Sequence, residues 1–219
     1  MNEKKNINKV RDSLVLILLG CFFFLPSQAQ DHDFSVWSSL NAEHKVSRNF
    51  TLNGGMEFRT KEQLKEIDRW AATINGSYRI LPALKLGAGY ELHYRYRNEK
   101  GWKIRQRYHV GVTGEARWSQ LKFSLRERFQ QTWEKEKTDF HLRSQLKVAY
   151  TPHKGNMSPY AAIEFYNKLN DGFDLSRTRY RAGGEWQISS RWNMDLYYLY
   201  QSESDRKKHV MGIECAYSF

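Results

Sequence analysis

The sequence has 219 residues and a formal net charge of +11 at pH 7, and 40% of its residues are hydrophobic. A mean hydropathy of −0.75 excludes a bundle of membrane-spanning helices, and the length allows one domain or a small pair of domains. No nucleic-acid partner is expected, because the basic residues are spread over the chain instead of forming one cluster.

The first element in chain order is a single long apolar run, SLVLILLGCFFFLP, at residues 13–26. It follows four Lys and Arg residues and precedes Ser27 and Ala29, which are small residues of the kind found at a signal-peptide cleavage site. This three-part layout predicts a cleaved secretory signal peptide over residues 1–29, with a mature chain that begins at Gln30.

An alternative processing signal overlaps this run. The stretch LLGC at residues 18–21 resembles a lipoprotein processing site, in which Cys21 would carry the lipid. The apolar run continues past Cys21 through Phe22 to Leu25, and this disfavours the alternative. With Cys21 removed, only Cys215 is left, so neither an intramolecular disulfide nor a cysteine metal site is expected.

The rest of the chain alternates between apolar and polar residues, with no amphipathic helix between the alternating segments. In residues 84–97, LKLGAGYELHYRYR, every second residue from Leu84 to Tyr96 is apolar or aromatic, and charged residues such as Glu91 lie between them. Successive side chains of a strand point to opposite faces, so this strand has one apolar and one charged face. Such segments predict strands over 34–44, 50–59, 69–80, 85–97, 104–118, 121–133, 139–150, 159–167, 175–188, 192–201 and 208–219.

The connections between these strands fall into two alternating sets. The first set is mostly tight and comprises residues 45–49, 81–83, 119–120, 151–158 and 189–191. The second set is charged and slightly longer, and comprises residues 61–68, 98–103, 134–138, 168–174 and 203–208. Short turns at one end and polar loops at the other are typical of the periplasmic and extracellular ends of an outer-membrane barrel. We therefore expect an all-β fold, a single antiparallel transmembrane β-barrel of about 10–12 strands over residues 30–219.

Cross-strand pairing supports these hairpins. A register that pairs Leu92 with Tyr108 sets apolar residues opposite one another, and it places Glu91 opposite His109 on the charged face. At the tight turns, the expected pairs are Ile80–Leu84, Trp118–Leu121 and Ile188–Trp192.

Aromatic residues on the apolar faces concentrate at the two ends of the strands. Those near the tight turns are Trp118, Tyr150, Trp186, Trp192, Tyr217 and Phe219. Those near the charged loops are Phe58, Trp70, Tyr94, Tyr96, Trp133, Phe140, Tyr198 and Tyr200. Two aromatic girdles separated by an aliphatic band are typical of the two membrane–water interfaces. The apolar faces are thus predicted to contact lipid, and the charged faces to line the interior.

The last segment, HVMGIECAYSF, places Tyr217 and Phe219 on its apolar face and ends the chain on an aromatic residue. It resembles the C-terminal assembly signal of bacterial outer-membrane barrels. VWSSLNAEHKVSRNFTLNGGMEFRT (36–60) and SYRILPALKLGAGYELHYRYRN (77–98) resemble a family of small outer-membrane proteins labelled domain of unknown function 2490. This resemblance covers most of residues 34–219. It implies a barrel in the outer membrane of a Gram-negative bacterium, and it brings no assigned activity or functional residue.

The number of strands presents a conflict. A single-chain bacterial barrel normally has an even number of strands and both termini on the periplasmic side. The predicted strands from residue 50 onward satisfy this rule, but the segment 34–44 adds an eleventh strand. Three solutions stay open: this segment lies in the lumen, it joins the wall through an unusual closure, or the count is wrong.

The predicted interior is rich in Arg and Glu, which indicates a charge network. Its candidate members are Glu91, Arg107, His109, Glu115, Arg126, Arg143, Glu164, Arg177, Arg179, Arg181, Glu185, Asp195 and Glu214. Glu185 and Asp195 are expected to face each other and to anchor one end of the network on Arg181. Glu164 is expected to anchor another part of it, between Arg143 and the pair Arg177 and Arg179.

Three functions are compatible with this sequence. The first is a structural or accessory barrel whose lumen is filled by side chains, because a barrel this small leaves little room beyond them. The second is a narrow pore or small-solute transporter, in which excess Arg would favour anions. The third is a lipid-modifying enzyme. It lacks a visible catalytic group because His141 and Ser144 point to opposite faces, and no inward serine accompanies His93 and His109.

The expected partners follow from a barrel in a membrane. They are the lipid bilayer, lipopolysaccharide and the outer-membrane assembly machinery, and the oligomeric state is left open. No catalytic residue, cofactor or metal is expected, because the sequence contains no metal-binding motif.

Overall fold

The structure is a computed structural model that describes residues 32–97, 101–135, 137–170, 172–204 and 206–219. The predicted signal peptide and Cys21 lie outside the described residues. Within the described ranges, no helix has the length and apolar character needed to cross a membrane.

The described residues form eleven β-strands, one for each predicted segment. They are β1 (His32–Lys45), β2 (Phe50–Lys61), β3 (Glu66–Leu81), β4 (Leu84–Arg97), β5 (Gly101–Trp118), β6 (Leu121–Glu134), β7 (Lys137–Tyr150), β8 (Met157–Lys168), β9 (Asp174–Gln187), β10 (Trp192–Glu203) and β11 (Arg206–Ser218). Most of them extend further than predicted into the charged connections, because ladder hydrogen bonds join backbone groups and do not require apolar side chains.

The connections define two ends of the fold. The turn end carries residues 46–49, 82–83, 119–120, 151–156 and 188–191. The loop end is where β2 meets β3, β4 meets β5, β6 meets β7, β8 meets β9 and β10 meets β11. The two sets are of similar length, so the expected difference in length is wrong. The loop end keeps its predicted charged composition.

The strands form a closed barrel in chain order, and β1 lies beside β11. Successive strands pair antiparallel, whereas β1 and β11 pair in parallel, with Trp37 opposite Gly212 and Ser39 opposite Glu214. With eleven strands, the first and the last run in the same direction, so only a parallel pair can close the wall. The predicted segment 34–44 therefore belongs to the wall through an unusual closure, the second of the three solutions.

The register between β4 and β5 differs from the predicted one by two residues. Leu92 pairs with Gln106 instead of Tyr108, and Glu91 pairs with Arg107 instead of His109. β4 ends at Arg97 as predicted, but β5 begins at Gly101 instead of residue 104, and this moves the pairing. Because side chains alternate with a period of two, the shift leaves every residue on its predicted face.

Two of the three pairs predicted at the tight turns are confirmed. Trp118 lies opposite Leu121, and the Ile188 N–H donates a hydrogen bond to the Trp192 carbonyl oxygen at 3.0 Å. The predicted pair of Ile80 with Leu84 is wrong, because the register shifts after Arg79 and pairs Leu84 with Leu81.

The barrel has an apolar outer surface and a polar lumen. Outward-facing Val110 and Phe219 are 56% and 72% exposed, whereas charged Arg69 and Glu164 are buried in the lumen. This is the reverse of a soluble barrel and the arrangement of a transmembrane barrel, whose apolar exterior contacts lipid. Aromatic rings also contact one another on this exterior at both ends, as in the pairs Trp192–Tyr217 and Phe58–Trp70.

The C-terminal residues close the seam between β1 and β11. The Phe219 N–H donates to the Glu43 carbonyl oxygen at 2.9 Å, and the Phe219 ring makes T-shaped contacts with the rings of His44 and Tyr217. These contacts join the last residue to both strands of the seam.

Deleting residues 217–219 should therefore abolish most of the folded barrel, because it removes the end of the seam together with the predicted assembly signal. The measurement is the yield of heat-modifiable protein in the membrane fraction of an expressing cell. Phe173→Ala, which changes an exposed aromatic residue at the loop end, is the control and should leave the yield unchanged. A normal yield from the deletion would contradict this prediction.

Candidate functional site: the charged lumen

The inward-facing side chains of every strand meet in the lumen, and charged groups dominate among them. Three groups of ion pairs contain most of the predicted network residues; two surround a carboxylate and one surrounds an arginine. They are centred on Glu164, Glu91 and Arg181.

Glu164 on β8 holds three arginines that come from three other strands. Arg143 donates to its carboxylate at 2.8 Å, Arg126 at 3.3 Å, and Arg179 lies 3.5 Å away. The side chain is deeply placed, with Glu164 only 5% exposed. The structure thus brings Glu164 together with two of its expected partners. Arg177 instead lies 2.6 Å from Glu203.

Glu91 on β4 forms the second group. Arg107 donates to it at 2.6 Å, His93 Nε2 lies 2.9 Å away, and His109 Nδ1 lies 3.5 Å away. His93 is only 1% exposed and was not among the predicted network residues. The alternation along β4 placed His93 in the interior, two residues after Glu91, but did not assign it to the network.

Arg181 on β9 forms the third group. It donates to Asp195 at 2.6 Å and to Glu214 at 2.9 Å, and its Nε donates to the Tyr160 hydroxyl at 2.6 Å. Glu185 does lie opposite Asp195, as the register predicted. However, Glu185 forms its ion pair with Lys147 and not with Arg181, so its expected role as an anchor of Arg181 is corrected.

Glu115, the remaining predicted member, lies nearer the turn end and pairs with lysines. Lys85 and Lys122 lie 3.1 Å and 3.2 Å from its carboxylate. The Glu115 group differs from the arginine groups because its cations are flexible lysine side chains and because it lies in a more exposed part of the lumen.

Sequence reasoning missed an arginine–tryptophan stack on the β1 side. The Arg59 guanidinium lies 3.4 Å from the centre of the Trp37 ring, and Arg179 lies 5.2 Å from it. Trp37 was missed because the placement of β1 was left open. Trp37 alternates with its neighbours and shares a face with Ser35 and Ser39, and this pattern could have indicated that its ring points into the lumen.

Apolar and aromatic side chains fill the lumen on the side of β1, β10 and β11. Trp37, Tyr197, Leu199 and Val210 belong to one buried cluster there. Gly212 makes room for this cluster, because a methyl group at its Cα would overlap the ring of Tyr197. On this side, side chains leave little space for a solute.

The remaining space in the lumen forms two main cavities. The larger cavity, of about 500 Å³, extends to Asp68 and Arg95 near the loop end. A second cavity, of about 340 Å³, extends toward the turn end, past Glu115. Glu91 and Arg128 line both cavities, so the two meet in the middle of the barrel.

Among the described residues, His141 and Ser144 lie on opposite faces of the wall. His141 lines the larger cavity, whereas the Ser144 hydroxyl donates to Glu127 at 2.7 Å on the opposite, outer face of the wall. Glu127 is an outward carboxylate in the middle of β6 that sequence reasoning did not single out. In the part of the chain that the structure describes, no group of three His, Cys, Asp or Glu residues could hold a metal ion.

Comparisons with known proteins place this chain in a family. The sequence model described as "Protein of unknown function (DUF2490)" matches residues 34–211. No curated protein matches the chain. Among solved structures, the translocator domain of the autotransporter NalP from Neisseria meningitidis is similar, with 14% sequence identity and a TM-score of 0.45, over 75% of this chain and 72% of that one.

Proposed function

The chain belongs to the family of unknown function DUF2490, and from its lumen we propose that it is a structural or accessory barrel of the outer membrane that does not conduct solutes. The main support for this proposal is the group of ion pairs around Glu164. Arg126, Arg143 and Glu164 come from three successive strands, and Arg179 adds a fourth. These ion pairs lie on the lumen face of four neighbouring strands, β6 to β9. We infer that, together with the Glu91 group, they obstruct the lumen near the point where the two large cavities meet.

The outer-membrane location is supported by physical arguments. The exterior is apolar, with aromatic residues at both ends, as lipid and its two interfaces require. A signal peptide is predicted over residues 1–29, and a terminal aromatic strand ends the chain. The partners that we propose are therefore the bilayer, lipopolysaccharide around the charged loop end, and the assembly machinery that reads Tyr217 and Phe219.

The test is electrical conductance. Purified, folded protein inserted in planar bilayers should show little or no steady conductance, because the network around Glu164 and Glu91 obstructs the lumen. Glu164→Ala should open a small, anion-preferring leak, because it releases three arginines from their shared carboxylate. Glu185→Ala is the matched control, since the ion pair that Glu185 forms among the described residues is with Lys147, near the turn end. A large, stable conductance of the unmodified protein would overturn this function.

A second candidate is an anion-preferring pore or small-solute transporter. It is favoured by one observation, the excess of cations over carboxylates in the larger cavity, which is lined by nine Arg, two Lys and five Asp or Glu residues. Conductance of the unmodified protein with a preference for chloride over potassium would support this candidate. No observation on the described residues favours a lipid-modifying enzyme, and none is proposed.

A further inference from the structure

Arg128 is an exception among the arginines of the larger cavity. It is the one arginine of that lining with no carboxylate of the described residues within 4.0 Å. Arg126, Arg143, Glu91 and Glu164 act on it only at longer range. A partly buried guanidinium without a paired anion is costly, so the position favours a counter-charge that the described residues do not supply.

The surroundings of Arg128 share this excess of positive charge. Glu164, Glu134 and Asp33 pair with cations of the cavity without being part of its lining. Even when these three carboxylates are counted, the Arg and Lys residues of the cavity still outnumber the acidic groups. A site of this kind attracts anions and rejects cations.

The lining also limits the chemical class of the anion. Its two large aromatic rings are Trp37 and Tyr166, and arginines lie over both; the third ring is the imidazole of His141. Arg59 lies over Trp37, and Arg143 and Arg177 lie over Tyr166. The lining therefore offers little uncovered apolar or aromatic surface to an acyl chain or a nucleobase. Guanidinium groups present fork-shaped pairs of N–H donors that match the oxygens of phosphate, sulfate or carboxylate.

We propose that the larger cavity is a binding site for a multivalent oxyanion of the phosphate or sulfate class, with Arg128 as a direct ligand. A multivalent anion is favoured over chloride because several guanidinium groups face the same space and can be bridged only by a group with several oxygens. The site lies on the loop-end side of the central ion pairs, so the anion enters from that end.

The experiment is calorimetric titration of the folded barrel in detergent micelles with sodium pyrophosphate and, separately, sodium sulfate, at constant sodium chloride. We expect saturable binding of one anion per barrel. Arg128→Gln should weaken it by about tenfold or more, the usual effect of removing a charge-assisted hydrogen-bond donor. The matched control is Lys122→Gln, which also removes one cation from the lumen but at the Glu115 group. It should leave the affinity near that of the unmodified protein.

Thermal unfolding gives a readout that a merely structural arginine would not produce. Without oxyanion, Arg128→Gln should unfold at the same temperature as the unmodified barrel or higher, because it removes an unpaired charge. With pyrophosphate, the unmodified barrel should gain stability and the variant should not.

Two results would overturn the site: the absence of saturable binding of either oxyanion, or equal weakening by Arg128→Gln and Lys122→Gln. The second would mean that only the overall positive charge attracts anions. The binding test is independent of conductance, since a conducting barrel would bind the same anion on its path.

Discussion

Replacing Glu164 by Gln should lower the free energy of unfolding of the barrel by about 3–5 kcal/mol, the usual result of breaking a buried ion pair by removing one partner. Gln has nearly the same size as Glu, so the loss of stability would come from the missing charge and not from a cavity. Arg126, Arg143 and Arg179 would all lose the carboxylate that they share. The measurement is reversible urea unfolding of the protein in lipid vesicles, followed by tryptophan fluorescence.

Glu115→Gln is the matched control for this prediction. Glu115 also contacts two cations, but these are lysines in a more exposed part of the lumen. Solvent screening and side-chain freedom reduce such interactions, so the cost should be below about 1 kcal/mol. Equal losses in the two variants would contradict the view that Glu164 holds a buried centre.

The faces of the barrel strands were predictable because alternation is a local property. Each strand segment shows which residues share a face, and a wrong register of two residues does not alter this, as the pairing of Leu92 with Gln106 illustrates. The register itself depends on how far each hairpin continues into its charged connection. This is decided by backbone pairing, which the side-chain pattern does not reveal.

The closure could not be predicted from the pattern of β1. Its alternation is compatible with a place in the wall or in the lumen, and its position depends on the distance that the other strands leave between β2 and β11. The contact of Trp37 with Arg59 was not predicted for the same reason, because it forms only when β1 lies in the wall.

The members of the charge network were predictable, but most of their pairings were not. The alternation along β9 places Arg177, Arg179 and Arg181 equally well on the inward face. Which of them meets Glu164 depends on the stagger of neighbouring strands around the barrel. The structure assigns Arg179 to Glu164, Arg177 to Glu203 and Arg181 to Asp195. Likewise, facing position alone did not reveal that Glu185 would pair with Lys147.

An arginine placed on the outer face should be far more costly than one placed in the lumen. Val110 lies in the middle of β5, faces outward and is 56% exposed on the barrel surface. If that surface is in contact with lipid, Val110→Arg should lower the free energy of unfolding in vesicles by about 2–4 kcal/mol, the cost of a cation near the middle of a bilayer. The measurement is the same urea unfolding in lipid vesicles.

Thr113→Arg, three residues further along the same strand, is the control. Thr113 faces inward between Lys85 and Arg126 and lines the smaller cavity together with Glu115. The new guanidinium would meet cations as well as a carboxylate, but it would point into an open polar cavity instead of lipid. It should cost clearly less than Val110→Arg. The unfolding of both variants in detergent micelles separates the effect of the bilayer from a packing defect, because thin micelles allow the Val110→Arg side chain to reach water. Equal tolerance of arginine at the two positions in vesicles would mean that the apolar exterior does not face lipid.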